Sequence, residues 1–221
     1  FIKMIHSVIF DMDGVIVLSE SIYTKIFVDM INRDLGLKIK STDFEKYNGI
    51  RFEKRIENIC SDNGINLEDE KYIEMSNKGR HEYATNSMQS LKLNIGILDF
   101  LKELKSRGMH IGVGSNGSKK IVEELLVSLG IRDYFESVIA FEDVDHPKPQ
   151  PDIYLENANN LFVDTQDCLV FEDSISGITA AKRAGMKCVA LTTTMDRMQL
   201  IDADLIIDNF TEIDVDKLDE I

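Results

Sequence analysis

The sequence lacks the features that cross-link a secreted chain or hold one in a membrane. Its cysteines, Cys60, Cys168 and Cys188, are few, far apart and without the C-x-x-C spacing of a zinc or redox site. No apolar run approaches the roughly 20 residues of a membrane-spanning helix, and no signal-peptide pattern opens the chain. Internal repeats and low-complexity tracts are also absent. We therefore expect a reduced, cytoplasmic protein whose cysteines are buried.

Basic side chains are scarce relative to acidic ones. The chain has 25 Lys and Arg against 39 Asp and Glu, which gives a formal net charge of -14. Nucleic acids and anionic membranes both reward clustered positive charge, so neither is an expected partner. A phosphorylated substrate would need local positive charge or a metal ion. The 221 residues suffice for one large domain, or for a core domain that carries a smaller one.

Ser7–Ile16 contains an apolar run that ends in two carboxylates. Val8–Phe10 predict a strand buried on both faces, and Asp11 and Asp13 follow it. In extended backbone both acids would point to one side, and Gly14 would then allow a sharp turn. Ligands of open parallel sheets bind beyond the carboxyl ends of the strands, where these acids would lie. A solvated acidic turn and a calcium loop are the alternatives, because D-x-D-G also occurs in calcium loops.

The periodicity of apolar residues changes along the chain. Residues 18–90 show helical spacing without a convincing strand, which predicts an insertion of about four helices. From residue 91 onward strands and helices alternate, and this pattern predicts an α/β fold with a doubly wound parallel sheet. We expect a core domain over 1–17 and 91–221 and a helical domain over 18–90. The pattern also predicts a helix over 195–202.

Polar side chains follow four of the predicted strands. Because the carboxyl ends of parallel strands meet at one edge of a sheet, we expect these side chains to converge. Each set alone has a plainer explanation, namely a helix cap, a solvated lysine or an acid pair favoured by a helix dipole. The four sets are Asp11 with Asp13, Ser115 with Asn116, Lys148, and Glu172 with Asp173.

The segments that hold these residues have a recognisable order. They are D-M-D-G-V, S-N-G, K-P-Q-P-D and F-E-D-S-I-S-G-I. This order resembles the four motifs of the haloacid dehalogenase superfamily. The helical insertion between the first two motifs is similar to the branch that contains β-phosphoglucomutase and sugar-phosphate phosphatases. The resemblance covers nearly the whole chain and implies a Rossmann-like core with a helical cap domain.

The resemblance also implies a role for each residue in phosphoryl transfer. Asp11 would be the nucleophile that forms an aspartyl-phosphate, and Asp13 would protonate the leaving oxygen and then activate water. Phosphate would be bound by Ser115, Asn116 and Lys148. The expected cofactor is Mg2+, which takes oxygen ligands. Its ligands would be Asp11, the backbone carbonyl of Asp13, Asp173, and Glu172 directly or through water.

The resemblance places substrate choice in the helical insertion. Residues 48–52 resemble the family's specificity loop, in which Arg51 would contact a distal phosphate or acidic group. A surface salt bridge is the alternative for Arg51. Lys78 and Arg80 are further candidates in the same insertion.

Two positions bear on the choice between a phosphatase and a mutase. Tyr23 stands where the mutase resemblance places a histidine, which favours hydrolysis. The Ser-Asn pair that ends at Asn116 points the same way, because it is common among the phosphatase members. His146 lies close to Lys148 in sequence, but the resemblance makes its position a variable loop, and we expect no catalytic role for it.

The sequence therefore predicts a Mg2+-dependent phosphatase of a small phosphorylated metabolite, such as a sugar phosphate, which we expect to act as a monomer. A β-phosphoglucomutase-like isomerase is the main alternative. A dehalogenase is disfavoured because those members lack the second acid, which is present here as Asp13. A non-catalytic binding protein on the same fold is disfavoured because all four motifs keep their functional residues.

Overall fold

The computed structural model describes residues 4–47, 50–86 and 91–221. The chain divides into two compact units, one of Phe1–Leu18 with Lys92–Ile221 and the other of Ser19–Leu91. Every strand found in the described chain belongs to the first unit, and α-helices build the second. That the helical unit serves as a cap stays a prediction.

A six-stranded parallel sheet forms the centre of the first unit. The strands are β1 (Ser7–Phe10), β2 (His110–Gly114), β3 (Ser137–Ile139), β4 (Cys168–Glu172), β5 (Lys187–Leu191) and β6 (Leu205–Ile207). Their order is β3-β2-β1-β4-β5-β6, so β1 lies inside the sheet between β2 and β4. The predicted parallel sheet, with the strand before Asp11 at its centre, is confirmed.

Eight α-helices lie in the described ranges. The first four build the helical unit and the last four belong to the α/β unit. Among the described residues, none of the helices combines the length and the apolar composition that a membrane span requires. The helices are α1 (Glu20–Leu35), α2 (Ser41–Glu45), α3 (Phe52–Asp62), α4 (Asp69–Asn86), α5 (Ile97–Ser106), α6 (Lys119–Ser128), α7 (Asp152–Leu161) and α8 (Ile175–Arg183).

Both faces of the sheet are buried under helices, as parallel sheets require. On one face Phe10 of β1 stacks on Phe171 of β4, with ring centroids 5.2 Å apart, and Phe100 of α5 packs edge-on against both. On the other face Ile9 and Val170 pack among side chains of α7 and α8. Burying side chains of this size stabilises the fold by about 2 kcal/mol each.

All three cysteines are free, and the expectation that they are buried is confirmed. Cys168 and Cys188 lie on adjacent strands of the sheet, β4 and β5. Cys60 belongs to the core of the helical unit. Burial raises the pKa of the Cys60 and Cys188 thiols and that of Cys168 to about 11. These thiols therefore serve as small apolar core groups.

The core of the helical unit is built around stacked aromatic rings and one buried guanidinium. Phe27 and Phe52 stack with centroids 4.4 Å apart, and Phe44 packs beside them. Arg55 lies over the rings of Phe44 and Phe52, and its charge is matched by Glu20 at 2.9 Å. A buried arginine is tolerated here because the carboxylate and the aromatic faces replace its water.

The predicted helix over 195–202 is wrong. The structure forms only a 3-10 turn at Arg197–Gln199. The apolar residues with helical spacing are not buried together, since Met195 is buried whereas Met198 and Ile201 are largely exposed. The Arg197 guanidinium instead donates to the Ile206 carbonyl at 2.8 Å, which ties this turn to β6.

The Asp204 side chain holds the start of β5. Its carboxylate accepts the N–H of Cys188 at 2.7 Å and the ammonium of Lys182 at 2.6 Å. Partial burial by itself would raise the pKa of Asp204, but these hydrogen bonds outweigh it and lower the pKa. A group with a lowered folded-state pKa stabilises the fold above its unfolded pKa, and this contribution disappears as the pH falls through the folded-state pKa.

We therefore expect Asp204→Asn to lower the free energy of unfolding by about 1 kcal/mol at neutral pH. The difference from wild type should shrink as the pH falls, as urea unfolding at neutral and acid pH would measure. Asp214→Asn is the matched control, because the Asp214 side chain is 71% exposed. It should change stability by less than about 0.5 kcal/mol. A difference for Asp204→Asn that does not depend on pH would contradict this account.

Candidate active site

The end of β1 delivers Asp11 to the edge of the sheet. Its N–H donates to the Phe171 carbonyl at 2.9 Å, so the sheet continues up to this residue. Asp11 is only 8% exposed, which argues against a solvated acidic turn. The chain then turns at Gly14, where φ is +81°, and Gly14 N–H donates to the Val17 carbonyl at 2.7 Å. The predicted turn after the two acids is thus present, with Asp13 half-buried beside it.

Lys148 joins three strand ends through one ammonium group. Its Nζ donates to Asp11 Oδ1 at 2.6 Å, to Glu172 Oε1 at 2.6 Å and to the Gly114 carbonyl at 2.8 Å. Asp11 follows β1, whereas Glu172 ends β4 and Gly114 ends β2. These three strands are neighbours in the sheet. The Lys148 side chain is 3% exposed, so the alternative of a solvated lysine is wrong.

The loop that carries Lys148 is held by Asn116. The Asn116 side chain donates to the Lys148 carbonyl at 3.2 Å and accepts the Lys148 N–H at 3.0 Å. Both polar groups of this amide therefore contact the lysine backbone. The role predicted for Asn116 in binding phosphate stays a prediction, whereas its contact with Lys148 is observed.

Ser115 lies at the carboxyl end of β2 and is 2% exposed. Its Oγ accepts the N–H of Gly117 at 3.0 Å, which shapes the S-N-G turn. The cap of α6 is Ser118, whose Oγ accepts from the N–H of Ile121. The S-N-G segment is therefore positioned beside the lysine, and a helix cap does not account for it.

Glu172 is buried, 1% exposed, and hydrogen bonded at both oxygens. Oε1 accepts from Lys148 and from the Tyr154 hydroxyl, each at 2.6 Å. Oε2 accepts from Ser174 Oγ and from the backbone N–H groups of Asp173 and Ser174. A Cβ at Gly177 would overlap this carboxylate. The small residue there leaves room for the acid.

Several side chains that contact the site were not among the residues predicted from the sequence, and Tyr154, Thr193 and Thr194 are examples. Tyr154 on α7 donates to Glu172, Thr194 donates to Asp173, and Thr193 donates to the Gly14 carbonyl. A usable signal existed for Tyr154, because a tyrosine on the apolar face of a helix needs a partner for its hydroxyl. The threonines follow β5 and belong to none of the motifs considered, so only the fold shows their partners.

This cluster contains three buried carboxylates, and the Lys148 ammonium contacts two of them, Asp11 and Glu172. Burial raises the pKa of Asp11 to about 7 despite the nearby Lys148, and burial with the neighbouring acids raises the pKa of Asp173. Burial alone would raise the pKa of Glu172, but Lys148 and the hydrogen bonds lower it. Burial alone would lower the pKa of Lys148, but Asp11 and Glu172 outweigh it. The site carries an excess of negative charge that a bound cation would offset.

The geometry of the acids suits such a cation. Asp11, Glu172 and Asp173 each offer a carboxylate oxygen, and these oxygens lie within 4.8 Å of one another. Hard oxygen ligands of this kind select Mg2+, Ca2+ or Mn2+ over softer metals. The cluster can therefore hold a divalent metal ion.

The basic residues predicted to select substrate lie in the helical unit, and each has an acidic partner. Arg51, with a side chain 85% exposed, lies 3.4 Å from Glu53, as the salt-bridge alternative supposed. Arg80 also lies 3.4 Å from Glu53. Lys78 pairs with Asp34 at 2.5 Å. Of the segment 48–52, residues 48 and 49 lie outside the described residues.

The two remaining sequence candidates, Tyr23 and His146, each contact a residue of their own unit. The Tyr23 ring stacks on Tyr83 with centroids 3.7 Å apart, within the aromatic core of the helical unit. His146 is exposed and its Nδ1 lies 3.1 Å from an oxygen of Asp152. His146 therefore contacts the first residue of α7, as a structural loop residue would.

Comparison with known sequences decides the family. The pattern described as haloacid dehalogenase-like hydrolase matches residues 8–191. The chain belongs to this family. The match spans the acids after β1, the lysine loop and the acid pair that ends β4. The sequence resemblance is thus confirmed, and so is the prediction that the chain is a hydrolase.

This haloacid dehalogenase-like hydrolase has relatives that are named as phosphatases. It is 35% identical over 190 residues to YhcW of Bacillus subtilis (strain 168), covering 84% of this chain and 83% of that protein. It is 32% identical over 182 residues to fructose-1-phosphate phosphatase YqaB of Escherichia coli (strain K12), covering 82% and 93%. Among solved structures, β-phosphoglucomutase of Clostridium difficile has a TM-score of 0.78 at 25% identity, covering 98% and 96%.

The contact between Tyr154 and Glu172 yields a prediction. Tyr154→Phe should lower the free energy of unfolding by about 1–2 kcal/mol, because a buried carboxylate loses a hydrogen-bond donor while the ring keeps its place. The ring should stay beside Lys148 Nζ, which lies 4.8 Å from its centroid. Urea unfolding would measure the loss. Tyr134→Phe is the control, since Tyr134 is only half-buried and its ring lies beside the ammonium of the exposed Lys105 rather than beside a buried carboxylate. Equal effects of the two substitutions would contradict the role of the hydroxyl.

Proposed function

We propose that the chain is a Mg2+-dependent phosphatase that hydrolyses a small phosphate monoester, such as a sugar phosphate, through an aspartyl-phosphate. The observation that carries this proposal is the ammonium of Lys148 between Asp11 and Glu172, with Asp173 beside them. The family and the phosphatase names of its relatives support hydrolysis. The name of YqaB supports a sugar phosphate as the class of substrate.

Asp11 acts as the nucleophile in this proposal. Its carboxylate oxygen attacks phosphorus, the bond from phosphorus to the leaving oxygen breaks, and water later hydrolyses the acyl phosphate. The 2.6 Å hydrogen bond to Lys148 fixes the orientation of the Asp11 carboxylate. The same ammonium offsets charge on the phosphoryl oxygens as they approach. Ser115 and Asn116 lie at the adjacent strand end and are the remaining candidates for phosphate contacts.

Mg2+ would be held by Asp11, the Asp13 carbonyl and Asp173, with Glu172 bound directly or through water. When bound, the ion offsets the repulsion between the substrate phosphate and the three carboxylates. The donor set fits, because each acid is buried and offers hard oxygen. Glu172 also orients Lys148, so it supports the site with or without direct coordination.

Asp13 exchanges protons in the proposed reaction. It lies two residues after the nucleophile, and its half-buried carboxylate stands outside the cluster of three acids identified within the described chain. A carboxyl group in this place protonates the leaving oxygen first and accepts a proton from water in the second step. Asp11 and Asp13 therefore perform different tasks at one strand end.

A phosphomutase is the second candidate, and the fold shared with β-phosphoglucomutase favours it. In that reaction the aspartyl-phosphate returns its phosphoryl group to a second sugar hydroxyl. Tyr23 argues against it, since this ring stacks on Tyr83 and has no imidazole to exchange protons. Incubation with Mg2+, β-glucose 1-phosphate and a bisphosphate primer separates the two. Formation of glucose 6-phosphate without free phosphate would overturn the phosphatase proposal.

Phosphate release from a panel of sugar and polyol phosphates tests the function directly. We expect turnover with Mg2+, loss of turnover after chelation by EDTA, and recovery when Mg2+ is restored. Asp11→Asn should lower turnover about a thousandfold or more, because an amide is a poor nucleophile. Circular dichroism should show an intact fold for this variant. Substantial residual turnover would refute the assignment of Asp11.

Trifluoroberyllate, which mimics a phosphoryl group on a carboxylate, provides a measurement independent of substrate. Wild-type protein with Mg2+ should bind it, and Asp11→Asn should not. If no ester in the panel is cleaved and no fluoride complex binds, the proposal of catalysis fails.

Asp13→Asn should separate the two chemical steps. With an activated ester such as p-nitrophenyl phosphate, the leaving group needs no proton, so one equivalent of nitrophenol should be released in a burst. Hydrolysis of the aspartyl-phosphate should then stall, because no base activates water. Rapid-quench kinetics would measure the burst. Full steady-state turnover of this variant on a sugar phosphate would contradict the role given to Asp13.

A further inference from the structure

Three consecutive threonines follow β5, and their hydroxyl groups donate to three different acceptors. Thr192 Oγ1 donates to Asp208 at 2.7 Å. Thr193 Oγ1 donates to the carbonyl of Gly14 at 2.6 Å. Thr194 Oγ1 donates to Oδ2 of Asp173. Thr193 thus contacts the loop that follows the nucleophile, and Thr194 contacts an acid of the proposed metal site. Thr192 contacts an exposed aspartate instead.

The loop that follows the nucleophile is held from two sides. Besides the Thr193 hydroxyl, the Asn94 side chain contacts this loop and donates to the Val15 carbonyl at 3.0 Å. The N–H of Asn94 donates to the Ile16 carbonyl at 2.9 Å. Because Asn94 is buried, 4% exposed, these bonds are shielded from water. The backbone that follows Asp13 is thereby held at Gly14, Val15 and Ile16.

The carboxylate of Asp173 is enclosed between this loop and Thr194. A Cβ at Gly14 would overlap the Asp173 carboxylate and would come within 2.9 Å of Thr194 Oγ1. Asp173 is 5% exposed, so water has little access to replace the Thr194 hydroxyl. With one carboxylate oxygen held by Thr194, the rotation of Asp173 toward Asp11 and Glu172 is set.

We propose that Thr194 is a positioning residue of the metal site, which holds Asp173 in the orientation that binds the ion. The inference rests on the proposed function, because it assigns the ion to the acids of that site. Outer partners that orient a metal ligand typically contribute 10- to 100-fold in metal affinity. Thr193 supports the same arrangement by holding Gly14, against which the Asp173 carboxylate packs.

The test measures Mn2+ binding to the full chain by electron paramagnetic resonance of the free ion, which requires no turnover. Thr194→Val keeps the shape of the side chain but removes the donor, so the dissociation constant for Mn2+ should rise about tenfold. Thr194→Ser keeps the donor and should stay within about twofold of wild type. The Mg2+ concentration for half-maximal phosphate release should rise in parallel for Thr194→Val.

Thr192→Val is the matched control. This substitution also removes a threonine hydroxyl from the same loop. The hydrogen bond that is lost joins Thr192 to Asp208, which is not part of the acidic cluster. Its dissociation constant for Mn2+ should equal that of wild type. Circular dichroism checks that each variant is folded, and Thr194→Ala replaces Thr194→Val if the valine variant does not fold.

The outcomes separate this inference from the proposed function. If Thr194→Val binds Mn2+ as tightly as Thr192→Val, or if Thr194→Ser is weakened equally, the hydroxyl does not position the metal ligand. If wild type binds Mn2+ but releases no phosphate from any ester, the proposed function fails while the comparison of Mn2+ affinities still decides the role of Thr194. If wild type binds no Mn2+, the metal site and the role of Thr194 both fail.

Discussion

The site depends on one buried ammonium surrounded by carboxylates. The Lys148 ammonium donates to Asp11 and Glu172 at 2.6 Å each and offsets part of their negative charge, in a place where the lysine side chain is 3% exposed. A buried charge without its partner costs several kcal/mol, so neither the lysine nor the acids are tolerable there alone. Asn116 fixes the lysine backbone and Tyr154 completes the shell of Glu172. Polar side chains at the sheet edge thus hold both the lysine and its acidic partner in place.

Two glycine positions follow from the same constraint. Gly14 and Gly177 stand where a Cβ would overlap the carboxylates of Asp173 and Glu172. The acids are packed against bare backbone, which brings them close to one another and keeps water out. Burial of Asp11 raises its pKa to about 7 despite the nearby Lys148, and a bound cation would offset the excess of negative charge. In the proposed function, a metal ion and a phosphate dianion would enter a site whose hydrogen bonds are already formed by the chain.

Sequence reasoning succeeded where the location of a side chain follows from its neighbours in sequence. The apolar run Val8–Phe10 predicted a buried strand, and acids directly after such a strand were expected at the sheet edge. It failed over 195–202, because apolar residues alone do not define a helical face. It also missed Thr193 and Thr194, whose partners are more than twenty residues away in sequence or on another strand end.

The sequence by itself determined the alternation of strands and helices outside 195–202, the central strand, and the chemical groups that follow four strands, because these follow from periodicity and from motif order. Only the tertiary structure decided which groups share hydrogen bonds. It placed Lys148 between Asp11 and Glu172 and enclosed Asp173 between Gly14 and Thr194. The physical reason is that these contacts join separate strand ends, and their distances are set by sheet register and helix packing, which no local pattern encodes.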